Sequence, residues 1–270
     1  MKVKRIKSVI LCFLGCALAG TLYCYVSVRR NIPVIAYHHI QDIAEGAVNG
    51  DNPYVVSVDI FEKHMKYLRD NNYHAITPEE LIDYLYNGIN LPRKSIFIQF
   101  DDGYYSNIAL AYPVLRKYGL KATVFMITAE TVTDQSRQDA FSYAYITESS
   151  MENTGDVFSF ASHTHRLHEL DGARTAFYLA SEAEISDDLR ESFKIARNHS
   201  VISYPHGQYN DNNIAAVKNA GVQAAFTTNK GYITKNSDPF KLRRFTVFNN
   251  TSFFGFVAYV RGLRYYPEVS

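Results

Sequence analysis

What most restricts the fold is an alternation that runs from residue 31 to the end of the chain: short apolar runs separated by longer amphipathic stretches. That rhythm belongs to β/α units built around a parallel sheet. Several of the apolar runs end on chemically capable residues. Pro33 to Tyr37 leads into His38-His39, Ser95 to Phe100 into Asp101-Asp102-Gly103, Val157 to Ala161 into Ser162-His163, and Val201 to Tyr204 into Pro205-His206. Lys121 to Ile127 and Val222 to Thr227 read as further strands. In closed barrels and open parallel sheets alike, functional groups collect beyond the C-terminal strand ends. His38, Asp101, His163 and His206 are therefore expected on one face of a single domain.

The intervening stretches carry helix signals. Phe61, Met65 and Leu68 sit at helical spacing within residues 58 to 70. Thr77-Pro78-Glu79-Glu80 combines an N-cap threonine, a proline at the first helical position and a glutamate at the third, which starts a helix running to about Tyr86. Further helices are expected from Tyr105 to Tyr118, stopped by Gly119, over 177 to 198 as one long element, and from Asn212 to Ala220. Glu130 to Asp156 is long for a connection and reads as an irregular loop.

Ahead of this domain, residues 8 to 28 carry no charge, about the 20 residues a bilayer-spanning helix needs. Lys2, Lys4, Arg5 and Lys7 precede the segment and Arg29 and Arg30 follow it, a bias that puts the N-terminus in the cytoplasm and the domain outside. The expected organisation is a stub and single-pass anchor over 1–30 and a domain over 31–270 that is external to the cell membrane. A cleaved signal peptide is the rival, and Phe13-Leu14-Gly15-Cys16 loosely resembles a lipobox. Cys12, Cys16 and Cys24, the only cysteines, all lie in this segment, so the domain has no thiol for a disulfide, a nucleophile or a metal ligand. With 22 basic against 27 acidic residues after position 30, the domain is a poor nucleic-acid partner.

A metal in this domain must then use histidine and carboxylate. Asp101 and Asp102 would diverge on an ideal strand, but Gly103 permits a bend that aims both into one cavity. One carboxylate can bind a divalent cation while the other takes a proton from water. His163-Thr164-His165-Arg166-Leu167-His168 holds three of the chain's nine histidines. A five-residue separation does not share a helix face, so a turn leaving a strand is the better geometry for joint ligation by His163 and His168. Two histidines and one carboxylate with open positions describe hydrolytic zinc centres and some non-haem iron oxygenases alike.

Phe100-Asp101-Asp102-Gly103 together with His163-Thr164-x-x-x-His168 resembles the polysaccharide deacetylases, the NodB-homology carbohydrate esterases, and the similarity extends over roughly residues 32 to 265. The resemblance implies a distorted (β/α) barrel, with Asp101 as base and Asp102, His163 and His168 as ligands of a divalent metal, zinc first and Co, Ni or Fe as alternatives. Ser203-Tyr204-Pro205-His206-Gly207 resembles the family motif in which the residue after proline lends a backbone N–H to the oxyanion, here His206. Two features depart from the pattern. Ser203 stands where many members carry an arginine that steadies the base, leaving Arg243 or Arg244 to substitute. No histidine follows His206 to act as the acid. The branch acting on poly-N-acetylglucosamine is similar in using a Tyr-His near the domain start, which gives the acid role to His38. The implied activity is removal of N-acetyl groups from an extracellular N-acetylglucosamine polysaccharide. Peptidoglycan as substrate, or a silent glycan-binding protein of the same fold, are the alternatives. His39 is expected to pack or hydrogen-bond locally, His165 to be an exposed neighbour, and His64, His74 and His199 to lie on helix or loop surfaces.

Overall fold

The structure, a computed structural model, describes residues 31–43, 52–131 and 143–263. Strand β1 (Ile32–Tyr37), buried throughout, precedes a small parallel pair, β2 (His39–Gln41) and β3 (Val55–Ser57). Then come α1 (Val58–Asp70), β4 (His74–Ala75), α2 (Pro78–Tyr86), β5 (Ser95–Phe100), α3 (Tyr112–Tyr118), β6 (Ala122–Met126), α4 (Glu148–Thr154) and β7 (Phe158–Ser162). A hairpin of β8 (Leu170–Asp171) and β9 (Arg174–Thr175) leads to α5 (Ala176–Leu179), α6 (Glu182–Ser192), β10 (Asn198–Ser203), α7 (Asp211–Asn219) and β11 (Ala224–Phe226). β12 (Tyr232–Ile233), β13 (Phe245–Thr246) and α8 (Phe253–Val260) follow.

Strands β11, β10, β7, β6, β5 and β1 are neighbours in that order and run parallel. Among the described residues the two far edges are joined over Leu242 to Val247: Leu242 bridges Phe226 of β11, while Phe245 and Thr246 pair with Ile35 and Ala36 of β1. Closure through so few residues makes this a distorted α/β half-barrel: the β/α rhythm calls for a parallel sheet, and the family resemblance for a distorted barrel. Among the described residues no helix is long and apolar enough to cross a membrane, and the anchor expected over 8–28 lies outside them.

The period-2 alternation of each strand sorts the core. Outward residues such as Ile35, Ile98, Phe100 and Val124 pack under α1, α3 and α8, whereas inward Val34, Phe97, Phe125, Val201 and Phe226 fill the barrel. Phe97 stacks on Phe226 at 5.0 Å, and Leu81, Ile82 and Tyr84 of α2 join this inner cluster. The same parity carries each inner row to the C-terminal end of its strand. Val34 and Ala36 lead to His38, Phe97 and Gln99 to Asp101, Ala161 to His163, and Val201 to Ser203.

The capping box expected at Thr77 and Glu80 is present in full. Other elements differ from expectation for local reasons. The helix over 177–198 is two helices, because Ala180 is extended and Ser181 caps α6 with its own box through Glu184. The helix before Gly119 opens as a π-turn over Asn107–Ala111. Pro113 has no N–H for a backbone bond one turn back, which favours the wider turn there. The stretch 130–156 is not all loop, since Thr147 and Ser150 cap α4.

His64 does not lie on the surface. Its Nδ1 is 3.0 Å from the Tyr37 hydroxyl, and its ring stacks on Phe256 at 3.8 Å. Burial pulls its pKa down from 6.5 to about 3. Between those values the unfolded chain binds a proton that the folded chain refuses, so this contribution to stability is whole above about pH 6.5 and is lost as pH falls towards 3. His64→Phe, which keeps the stack, is expected to lose about 2 kcal/mol less than wild type between about pH 7 and pH 5 in urea unfolding. Parallel pH slopes for the two proteins would count against a buried neutral His64.

Candidate active site

The inner rows converge on one cleft of about 380 Å³, and His38, Asp101, Asp102, His163, His168 and His206 all line it. Every residue singled out from the sequence as a site residue is thus brought together, from the ends of β1, β5, β7 and β10.

Three of these strand ends turn through left-handed backbone at a residue other than glycine: Asp102 (φ 70°), Thr164 (φ 76°) and His206 (φ 52°). Such conformations cost about 1–3 kcal/mol each and persist where the surroundings impose them. At Asp102 the turn does what the strand alternation could not, returning the second carboxylate towards the first. Gly103 follows at φ 84°, and a Cβ there would meet Met126 backbone at 3.2 Å. At His206 the turn is held by Gly207, where a Cβ would meet Thr228 at 2.2 Å.

Asp101 is buried, with one oxygen 2.5 Å from Arg244 Nη1 and the other accepting from Gln99 Nε2 at 3.1 Å. Burial alone would raise its pKa, but the Arg244 guanidinium, then His163 and His38, hold it well below the ordinary carboxylate range. The arginine that Ser203 lacks is therefore supplied by Arg244, from the segment that closes the barrel. Arg243 instead lies over Gly231, whose Cβ would meet Arg243 Cδ at 2.4 Å. Ser203 contributes its carbonyl, which accepts from His163 Nδ1 at 2.7 Å. That bond protonates Nδ1 and leaves Nε2 as a lone-pair donor facing the cleft.

Asp102 Oδ1 lies 3.7 Å from His163 Nε2 and 3.6 Å from His168 Nε2, and the three ligand atoms all fall within 4.8 Å of one another. Metal–ligand bonds of 2.0–2.2 Å in a tetrahedral site put ligand atoms about 3.4 Å apart, so this donor set fits a divalent cation with little movement. Burial and the neighbouring Asp101 raise the Asp102 pKa to about 7, opposed by a hydrogen bond from Tyr104. Burial and the adjacent His163 and His206 lower that of His168 to about 2. Two neutral imidazoles beside a carboxylate that resists ionisation make a centre that gains from a positive charge.

The His38 ring lies 4.5 Å from that of Tyr54, tilted by 43°, and its Nδ1 has no hydrogen-bond partner among the described residues. Burial lowers its pKa to about 4, against the pull of Asp101. The His206 ring lies 4.8 Å from that of His168. His39 lines the cleft too, with its ring nitrogens bonded to Ser106 Oγ at 2.8 Å and Gln41 Nε2 at 2.9 Å. His165 is not simply exposed, its Nδ1 lying 3.0 Å from Thr128 Oγ1. His74 pairs with Glu80 at 2.7 Å, and His199 bonds the Ala196 carbonyl at 2.9 Å. Tyr104, Gln99, Tyr54 and Phe248 were not anticipated. Gln99 and Tyr104 could have been found from sequence, one by strand parity with Asp101 and the other by adjacency to Gly103.

Comparison with known proteins agrees with this geometry. The polysaccharide deacetylase family model matches residues 88–225, a span that holds both aspartates, His163, His168 and His206 but leaves His38 and Arg244 outside. YxkH of Bacillus subtilis is 32% identical over 86% of this chain and 77% of its own length. The poly-beta-1,6-N-acetyl-D-glucosamine N-deacetylase of Staphylococcus aureus is 32% identical over 72% of this chain and 68% of its own. The solved deacetylase PplD of Streptococcus pyogenes, in complex with acetate, superposes with a TM-score of 0.72 at 25% identity, over 86% of this chain and 99% of that one. A family match across the site-bearing strands and relatives similar over most of their length have one reading: this chain is an enzyme of the polysaccharide deacetylase family.

Proposed function

We propose that the chain hydrolyses N-acetyl groups on an extracellular N-acetylglucosamine polysaccharide, poly-β-1,6-N-acetylglucosamine first, with the aid of a divalent cation. The observation that carries this reading is the meeting of a paired carboxylate, Asp101, with a separate His/Asp donor set in one cleft. Asp102, His163 and His168 would hold the cation, which when bound acidifies water and polarises the acetyl carbonyl.

The protein's own groups do the rest. Asp101, kept ionised and aimed by Arg244, takes the proton from the attacking water. The His206 N–H, in the left-handed turn at the cleft, donates to the oxygen on which negative charge develops. His38, neutral at pH 7 on its lowered pKa, takes up a proton from solvent as that negative charge develops beside it and passes this proton to the departing sugar nitrogen, while Asp101 afterwards returns the water's proton to solvent. Acetate and a free amine result, and the amine turns a neutral glycan into a cation.

Support for the β-1,6-linked polymer comes from the Staphylococcus aureus relative and from a cleft histidine at the first strand end. The external setting rests on the uncharged run at 8–28.

The test is acetate release by the full-length chain from β-1,6-linked and β-1,4-linked N-acetylglucosamine oligomers and from peptidoglycan. The fastest release is expected from the β-1,6 oligomers. Faster release from peptidoglycan would reassign the substrate, and no release from any of the three would remove the reading.

A further inference from the structure

The loop from His163 to Leu167 has nearly all of its backbone polar groups spoken for, from two directions. On one side the exit of β6 holds it: His163 N–H donates to the Met126 carbonyl at 2.8 Å, and the Thr164 and His165 carbonyls accept from Thr128 and Ala129 at 3.1 and 3.2 Å. On the other side a single carboxylate does the work. Asp188, buried on α6, accepts the His165 N–H on Oδ2 and the Arg166 N–H on Oδ1, both at 2.7 Å, and also takes a bond from the Leu167 N–H. Asp188 has no ion-pair partner among the described residues, so its charge is met by these backbone donors. A hydroxyl chain from the same helix reinforces the grip: Ser192 Oγ donates to Ser162 Oγ at 2.7 Å, which accepts the Thr164 N–H at 2.9 Å.

The two histidines of the donor set depend on this loop unequally. His163 is fixed by its strand and by the Ser203 carbonyl. The His168 ring touches His163, His206 and Asp102 but has no hydrogen bond from any other group among the described residues, so its backbone decides where Nε2 lies. That backbone hangs from the three N–H groups on Asp188. Thr164, β-branched and left-handed, would relax to ordinary backbone if the grip were lost.

We infer that Asp188 is a positioning residue for the cation site: its carboxylate clamps the 165–167 backbone and so sets the His163–His168 separation that a metal requires. This rests on the reading of Asp102, His163 and His168 as ligands. Groups one step removed from the ligands typically change metal affinity by about 10- to 100-fold, and that is the loss expected for Asp188→Ala.

The test titrates Zn²⁺ against a competing chelator on the full-length wild-type chain and on Asp188→Ala, Asp188→Asn, His163→Ala and Leu189→Ala, with thermal unfolding of each. Asp188→Ala is expected to bind Zn²⁺ about 10- to 100-fold more weakly and to regain most of its turnover at saturating Zn²⁺. Asp188→Asn, which keeps one acceptor oxygen, should fall between it and wild type, and serves if the alanine variant does not fold. Leu189→Ala empties a buried position on the same helix, so it should unfold at lower temperature with its Zn²⁺ affinity unchanged. Unchanged affinity in both Asp188 variants beside lost affinity in His163→Ala overturns the role of Asp188 alone. Unchanged affinity in His163→Ala overturns the ligand assignment beneath it. An equal loss in Leu189→Ala would reduce Asp188 to a general contribution to folding.

Discussion

An Asp101→Asn chain should bind a divalent cation as wild type does and release acetate about 10²- to 10⁴-fold more slowly, the range by which a positioned base accelerates a reaction. The cation affinity is expected to hold because Asp102, His163 and His168 form the donor set without Asp101. Stability should not hold. Arg244 is 2% exposed, and its short bond to Asp101 is the one ion pair it makes among the described residues. Neutralising one member of a buried pair leaves the other charge uncompensated, at a cost of about 3–5 kcal/mol. The asparagine keeps a carbonyl for Arg244, so a loss near the lower end is expected, read as a fall in Tm of about 6–12 °C. Full turnover in Asp101→Asn would remove it as the base, whatever the change in Tm.

The second large effect is expected on losing the cation. His163→Ala removes the ligand whose geometry is most fully specified, with Nδ1 committed to the Ser203 carbonyl and Nε2 left for the cleft. The remaining pair, Asp102 and His168, is expected to hold Zn²⁺ too weakly to survive a chelator. Lewis-acid assistance contributes several kcal/mol to a barrier, so turnover should fall about a thousandfold or more in His163→Ala, with the same fall in chelated wild type. The two proteins separate on adding Zn²⁺ back, since only wild type should recover. Recovery of His163→Ala to the same extent would place the cation elsewhere.

Much of this site is legible in the sequence because strand parity and strand ends are sequence properties. Phe97, Gln99 and Asp101 share a face by period 2, and the same counting brings His38, His163 and Ser203 to the barrel interior. What local sequence does not contain is contact at long range. Arg243 and Arg244 are adjacent and equally charged, and only the bridge of Leu242 to Phe226 and the pairing of Phe245 with Ile35 decide which one faces Asp101, 143 positions away in the chain. His64 illustrates the same limit. On a helix with Phe61, Met65 and Leu68 it could pass for a polar flank, and it is buried because Tyr37 and Phe256 arrive from distant elements to cover it. The break at Ser181 is different in kind: Ser181-x-x-Glu184 is a capping box written in the sequence and hidden by an otherwise unbroken amphipathic run. The left-handed turns at Asp102, Thr164 and His206 run against residue preference, as strained functional sites do.

The most direct test is to measure bound cation per chain and acetate release together, on the full-length chain stripped by chelator and then titrated with Zn²⁺ over a β-1,6-linked N-acetylglucosamine oligomer. Acetate release should be absent at the start, rise in proportion to bound Zn²⁺ and level off at one ion per chain. Release at the full rate from cation-free protein, or Zn²⁺ binding to one site with no acetate formed, would contradict a cation-assisted deacetylase built on Asp102, His163 and His168.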